Sequence, residues 1–324
     1  MKGYRLTKSD ISKVLSIASL LFLFLVPIHL GVYGIYLFNL LFIYVIISTG
    51  LNILTGYAGQ ISFGQAGFVA IGAYTSSLLI ADFNTPFLIS IVIGGLFSSI
   101  IGFLLGFPIL RLKEIYLAMV TLAWSMILQL LVIHMDKLTN GWDGLSLPSL
   151  TIGSVDFNQD QSIYYVIFTF TLALLFLARN IVSSRLGRVL ASIKDSEIAT
   201  SSLGINVSYY KSVAFAISAF YAGIGGGLYA VCLKFIGPDD FGLMQSIDYL
   251  LIIVIGGMGY LSGPIYGSII IIILGELFRA FATFQELSYG ILLLFCLLFL
   301  PGGISLIMNK AMSFIKQKSG FFDG

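Results

Sequence analysis

The sequence predicts an all-α, polytopic membrane protein of about ten transmembrane helices. Three observations predict it. Of 324 residues, 58% are hydrophobic and only 10% are charged, whereas a soluble globular chain carries about 25% charged residues. The apolar residues fall in runs near the roughly 20-residue length that crosses a bilayer as helix, and mean hydropathy is +1.01. Glycine is abundant, at 35 residues, which suits helices that must approach one another closely in lipid. The net charge of +2 excludes the broad basic field that nucleic acid requires.

The elements follow in order. Residues 1–13 are basic and polar, with Lys2, Arg5, Lys8 and Lys13, and read as a cytoplasmic N-terminus. The apolar run after them has no small-x-small cleavage site, and further apolar segments follow at once, so it reads as a retained first span, Ile11–Leu30, rather than a signal peptide. The second span covers Val32–Leu54, the third Ile61–Ile80, the fourth Phe87–Leu110 and the fifth Ile115–His134. A polar loop, residues 135–161, precedes the sixth at Ser162–Ala178. A second polar stretch, Arg179–Tyr210, precedes the seventh at Lys211–Cys232. The eighth, Ile247–Ile255, is short and stops at Gly256-Gly257-Met258-Gly259. The ninth is Pro264–Phe281 and the tenth Leu287–Leu300. One transmembrane domain thus occupies 14–304, followed by a cytoplasmic tail, 305–324.

Basic residues mark the cytoplasmic side of a membrane protein. A cytoplasmic N-terminus leaves Arg111 and Lys113, then Arg179, Arg185, Arg188 and Lys194, then Lys310, Lys316 and Lys318 all on that side. The loop 135–161 falls outside, with Asp136, Asp143, Asp156 and Asp160 against Lys137 alone. Both termini are therefore expected in the cytoplasm of a cell-membrane protein.

Two glycine-rich interruptions stand out, Gly56–Gly67 and Gly256–Gly267. They lie five spans apart, an odd number, so the second half would be inverted relative to the first, the arrangement of an inverted five-helix repeat. Backbone freed by glycine in a membrane must find partners in protein or in a water-lined cavity. The stretch Asn52–Gln65 combines such glycines with amides and hydroxyls, so Asn52, Thr55, Gly56, Tyr57, Gly59, Gln60, Ser62, Gly64 and Gln65 are candidates for lining or gating a substrate path. For any one of them, helix-packing glue is the competing role.

The cytoplasmic stretch 184–208 differs in kind. Asp195 or Ser196 can cap a short helix whose first turn carries Glu197 near its positive end, and Gly204 follows as a C′ residue. A helix of two to three turns results, with Ile193, Ile198 and Leu203 as its apolar positions. It suits a docking surface for a cytosolic partner, or an interfacial helix on the headgroups. Elsewhere ionisable groups are sparse. Glu276 and Arg279 are spaced to pair on the ninth span, and Cys232 and Cys296, in different apolar segments, read as small buried residues. No metal cluster or catalytic motif occurs. There is also no GxxxxGK[ST] loop, so if ATP drives the protein, its ATPase is another polypeptide.

These residues resemble the permease subunits of ATP-binding-cassette importers for branched-chain amino acids, the LivM-like family. The resemblance runs from Leu51 to Gly303. It rests on Leu51-Asn52-Ile53-Leu54-Thr55-Gly56-Tyr57-Ala58-Gly59-Gln60-Ile61-Ser62-Phe63-Gly64-Gln65-Ala66, on Gly72-Ala73-Tyr74-Thr75 and on the outer-loop run Thr139-Asn140-Gly141-Trp142-Asp143-Gly144-Leu145. Gly256–Pro264 and Pro301-Gly302-Gly303-Ile304 also fit. Gly187-Arg188, Lys194–Ala199 and Gly204–Val207 are similar to the family's coupling loop, with Ile198 replacing an alanine, and Gly64-Gln65 stands where Gly-His is frequent.

The resemblance implies the fold of vitamin and sugar uptake permeases. It assigns ATPase coupling to Arg188, Lys194, Asp195, Glu197, Ala199 and Gly204. It further implies a related second permease subunit, two cytosolic ATPases that bind the ATP, and an extracytoplasmic substrate-binding protein, with no cofactor or metal on this chain. Importers of urea or short-chain amides use similar permeases. A membrane-embedded enzyme would need an ionisable cluster in the spans, and a passive channel would need no docking helix.

Overall fold

In hydrocarbon every backbone N–H and C=O needs an internal partner, and a single spanning segment satisfies that only as helix. The computed structural model describes residues 23–27, 30–109, 114–148, 151–152, 155–156, 160–278, 290, 303–306 and 308, and it is helical through most of them. The helices are α1 (Val32–Leu51), continued by a π-helical turn over Asn52–Tyr57, α2 (Gln65–Phe83), α3 (Phe87–Ile109) and α4 (Glu114–His134). After a short α5 (Asp136–Thr139) and a 3₁₀ turn come strands β1 (Leu145–Ser146), β2 (Thr151–Ile152) and β3 (Val155–Asp156). The second half holds α6 (Asp160–Ser183), α7 (Arg185–Asp195), α8 (Glu197–Ser202), α9 (Val207–Leu233), strand β4 (Phe235–Ile236), α10 (Leu243–Gly256) and α11 (Gly263–Phe278).

Among the described residues, six helices are long and apolar enough to cross a membrane, and α10 and α11 are shorter apolar helices. They correspond to the second through ninth expected spans. The first, Ile11–Leu30, lies outside the described residues except for 23–27 and Leu30, and the tenth, Leu287–Leu300, except for Gly290. The observed helices run past several expected ends. α6 continues through Arg179 and Asn180 to Ser183, and α9 begins four residues before Lys211. Hydropathy reports the stretch that lipid can accept, whereas the helix runs on into water. The third span starts later than expected, at Gln65 rather than Ile61, because the backbone from Ala58 to Gly64 is not helical.

The centre of the bundle is α1, α2 and α9, which are mostly buried, while α3, α4 and α6 turn apolar faces such as Ile89, Leu96, Met119, Ile127 and Phe176 outward. Small residues set the central spacing. A Cβ on Gly72 of α2 would lie 2.1 Å from the Gly223 carbonyl oxygen of α9, and one on Gly226 would lie 2.0 Å from that of Val69. Serines bind across these contacts: Ser98 Oγ donates to Phe68 O at 3.1 Å and Ser99 Oγ to Ala216 O at 3.0 Å. The α6 helix joins through Phe42 against Tyr164 and Phe168, and through Tyr221 Oη donating to Leu174 O at 2.8 Å. Half-buried Cys232 is a free thiol, and Cys296 lies outside the described residues.

The 135–161 segment is more ordered than a plain loop. Its β1 pairs antiparallel with β4, Leu145 opposite Ile236 and Ser146 opposite Phe235. Leu147 N also donates to Lys234 O at 2.9 Å, so the segment is pinned to the end of α9. That helix ends there because Lys234 takes a left-handed conformation (φ +59°).

Candidate gate and coupling site

Asn52 begins the π-helical turn and is buried. Its Nδ2 donates to Tyr260 O at 2.9 Å, and its Oδ1 accepts from Gly259 N at 2.9 Å. One amide therefore joins the two glycine-rich interruptions. The fit is close enough that a Cβ on Gly56 would lie 2.4 Å from Gly259 N. Gly257 (φ +114°) and Gly259 (φ +82°) adopt backbone that L side chains disfavour. π-Turns inside helices occur frequently at functional sites.

Thr55, Gln60, Ser62 and Gln65 of the same stretch also find partners within the protein. Thr55 Oγ1 donates to Gln60 O at 3.0 Å, and Gln60 Nε2 to Ala58 O at 3.2 Å. Ser62 Oγ accepts from Gly64 N at 3.3 Å. Gln65 Nε2 lies 3.3 Å from Ile47 O and 3.4 Å from Ser218 O, while its Oε1 accepts from Ser218 Oγ at 3.1 Å. Asn52, Gln60, Ser62 and Gln65 are buried and Tyr57 and Gly59 half-buried, whereas Ile61 is exposed. Water-competent amides held on backbone carbonyls make this stretch a polar, internally satisfied break between two apolar helices.

The candidate coupling segment is two helices where one was expected. Ser184 caps α7, its Oγ accepting from Leu186 N at 3.1 Å, and Ser196 caps α8, accepting from Ala199 N at 3.2 Å. Asp195 is not the cap; it ends α7, because Ser196 alone takes the extended backbone (φ −164°) that an N-cap needs. Thr200 Oγ1 fastens the two helices, 2.8 Å from both Ser192 O and Ser196 O. Leu203 closes α8 and Gly204 follows at φ +79°. Of the expected apolar positions, Ile193 is buried on α7, but Ile198 is 81% and Leu203 78% exposed. The α8 helix is too short to bury a face of its own, so its apolar side chains stand out from the molecule. Arg188 Nη1 donates to Ser183 O at 3.2 Å, back across the α6–α7 turn.

Two contacts escaped sequence reasoning. Glu197 forms an ion pair with Lys211, whose side chain is 4% exposed against 47% for Glu197. Lys211 looks like the plain head of a span, and a Glu fourteen residues away gives no periodic signal. Lys194 Nζ donates to Gly56 O at 2.7 Å, which brings the coupling segment onto the π-turn. On the ninth span Glu276 accepts from Tyr33 Oη, while Arg279 lies outside the described residues.

Residues 33–300 match the family described as the branched-chain amino acid transport system permease component. The chain is 34% identical to the high-affinity branched-chain amino acid transport system permease protein LivM of Escherichia coli, over 88% of this chain and 72% of its relative. It is 34% identical to LivM of Salmonella typhimurium, over 86% of this chain and 70% of the relative. It is also 27% identical to the permease protein LivH of Escherichia coli, over 81% of this chain and 90% of that protein. No solved structure matches the chain.

Proposed function

The chain belongs to the family of branched-chain amino acid transport system permease components, and from that premise we propose that it carries leucine, isoleucine and valine inward as one of two permease subunits of an ATP-driven importer. Its partner would be a LivH-like permease, since relatives of both kinds resemble this chain. Two cytosolic ATPases and an extracytoplasmic binding protein complete the assembly. Both termini lie in the cytoplasm of the cell membrane, and the ten spans form two inverted halves, a reading supported by the meeting of the two glycine-rich breaks at Asn52.

The mechanism is alternating access without covalent chemistry. The stretch holding Asn52, Thr55, Gly56, Tyr57, Gly59, Gln60, Ser62, Gly64 and Gln65 gates the path, its polar bonds remaking as helices rock. The segment holding Arg188, Lys194, Asp195, Glu197, Ala199 and Gly204 couples that motion to ATP. The carrying observation is the outward stance of Ile198 and Leu203 on α8. Two neighbouring apolar side chains this exposed on a short polar helix suit a contact with another surface, which we take to be the ATPase.

The test is co-purification of the permease from native membranes with its ATPase, alongside ATP-dependent uptake of radiolabelled leucine. Replacing both Ile198→Asp and Leu203→Asp is expected to cut co-purified ATPase and leucine uptake about tenfold or more, since buried apolar anchors dominate interface energy. The amount of permease in the membrane should hold. Normal ATPase recovery in that variant would remove α8 as the docking face.

A further inference from the structure

On the reading of the chain as a permease driven by separate ATPases, we propose that Lys194 is a positioning residue: its ammonium carries movement of the coupling segment into the Asn52–Tyr57 turn, and through Asn52 into the second glycine-rich break. Lys194 sits in the last turn of α7, whose Leu190 and Ile193 are buried. A docking lysine would turn outward with Ile198 and Leu203. Lys194 is exposed, but its Nζ reaches back to end 2.7 Å from Gly56 O.

That acceptor is suited to hold it. Gly56 stands at the C-terminal end of the 26-residue helical run Val32–Tyr57. The last carbonyls of a helix lack a following N–H partner, and the negative end of the helix dipole favours a cation. A bond from an ammonium to such a carbonyl is charge-assisted and stronger than a neutral one. Lys194 is itself an exposed residue, so water competes for its ammonium, and these two features of the carbonyl are what retain it.

The glycines on either side make the approach possible. Gly59 (φ +72°) has no side chain where the lysine stem passes, since a Cβ there would lie 3.2 Å from Lys194 Cγ. Gly56 is pressed on Gly259, and Asn52 holds Gly259 and Tyr260 through both ends of its amide. A shift of α7 along its axis therefore pulls on one carbonyl that is tied, within one turn of helix, to both breaks. The Glu197–Lys211 pair fastens the same segment to α9 and Arg188 holds it to the end of α6, while Lys194 supplies its hydrogen bond to the turn.

The experiment uses the whole transporter, purified with its partner permease and ATPases and reconstituted in liposomes with the binding protein and radiolabelled leucine. Lys194→Met is expected to keep ATPase recovery and ATP hydrolysis within about twofold of wild type while cutting leucine transported per ATP about tenfold. Lys194→Arg, which can still reach the carbonyl, should recover most of that ratio, a rescue that a merely structural role would not give. If Lys194→Met does not accumulate, Lys194→Gln is read by the same ratio. An unchanged ratio in a wild-type background that couples normally overturns the role of Lys194 alone. Lost ATPase recovery overturns it too, making Lys194 a docking contact. A wild-type complex with no ATP-dependent leucine uptake overturns both the proposal and the functional reading beneath it.

Discussion

Glu197→Arg lowers ATP-driven leucine uptake more than about tenfold while the permease still accumulates in the membrane. Breaking a fully buried ion pair costs about 3–5 kcal/mol, because the remaining charge is left without a partner. Lys211 is buried to that degree but Glu197 is half in solvent, so the cost here is smaller and the fold survives it. Charge reversal adds repulsion between two cations at the head of α9, and the coupling segment then loses its hold on that helix. Glu197→Gln should fall between the two. Combining Glu197→Arg with Lys211→Glu should restore uptake to a substantial fraction of wild type if the pair itself is the working part. Full uptake in the single variant would remove Glu197 from coupling. Gly204→Pro is expected to act alike through the backbone: proline cannot adopt φ +79°, and it loses the N–H that donates to Ser201 O at 2.9 Å.

The second large effect belongs to the central glycines. Gly72→Leu prevents the permease from accumulating, because even the first side-chain carbon would lie 2.1 Å from the Gly223 carbonyl oxygen. The obstacle is backbone on a packed neighbouring helix, so relief requires moving α9 as a unit. Overpacking costs about 1–3 kcal/mol where side chains can shift, and more where they cannot, so Gly72→Ala should already lower the unfolding temperature of the solubilised protein. Gly31 is the control: nothing lies within 4 Å of its would-be Cβ, and Gly31→Ala should cost no more than about 1 kcal/mol, the loss of a favourable N-cap on α1. Equal behaviour of Gly72→Ala and Gly31→Ala would contradict the packing described.

These contrasts show which features the sequence could carry. Apolar runs located the second to seventh spans to within a few residues because lipid imposes a single rule on every residue it touches. The break after Tyr57 was legible as well, since glycine and amides are costly in a plain span. That helix persists to Tyr57 by widening into a π-turn was not legible, because Asn52, where the turn begins, is held by Gly259 N, which donates to its Oδ1 from 207 residues away. The coupling segment failed differently. Ile193, Ile198 and Leu203 are equivalent as letters, yet one is core and two are surface, and a helix of six residues has too little period to tell them apart. Asp195 and Ser196 are equally good caps on paper; only the extended backbone at Ser196 decided between them.

The pinning of the 135–161 segment to the end of α9 has a mechanical consequence. At 1.5 Å per residue the 27-residue α9 is about 40 Å long. Its far end is laced into the β1–β4 ladder, its near end is held by Lys211 on Glu197, and its middle is seated against α2 through Gly223 and Gly226. A stiff beam gripped at both tips and resting on a hard central support is a lever. A tilt imposed at one tip would then be carried to the other about the glycine contact, along one piece of helix.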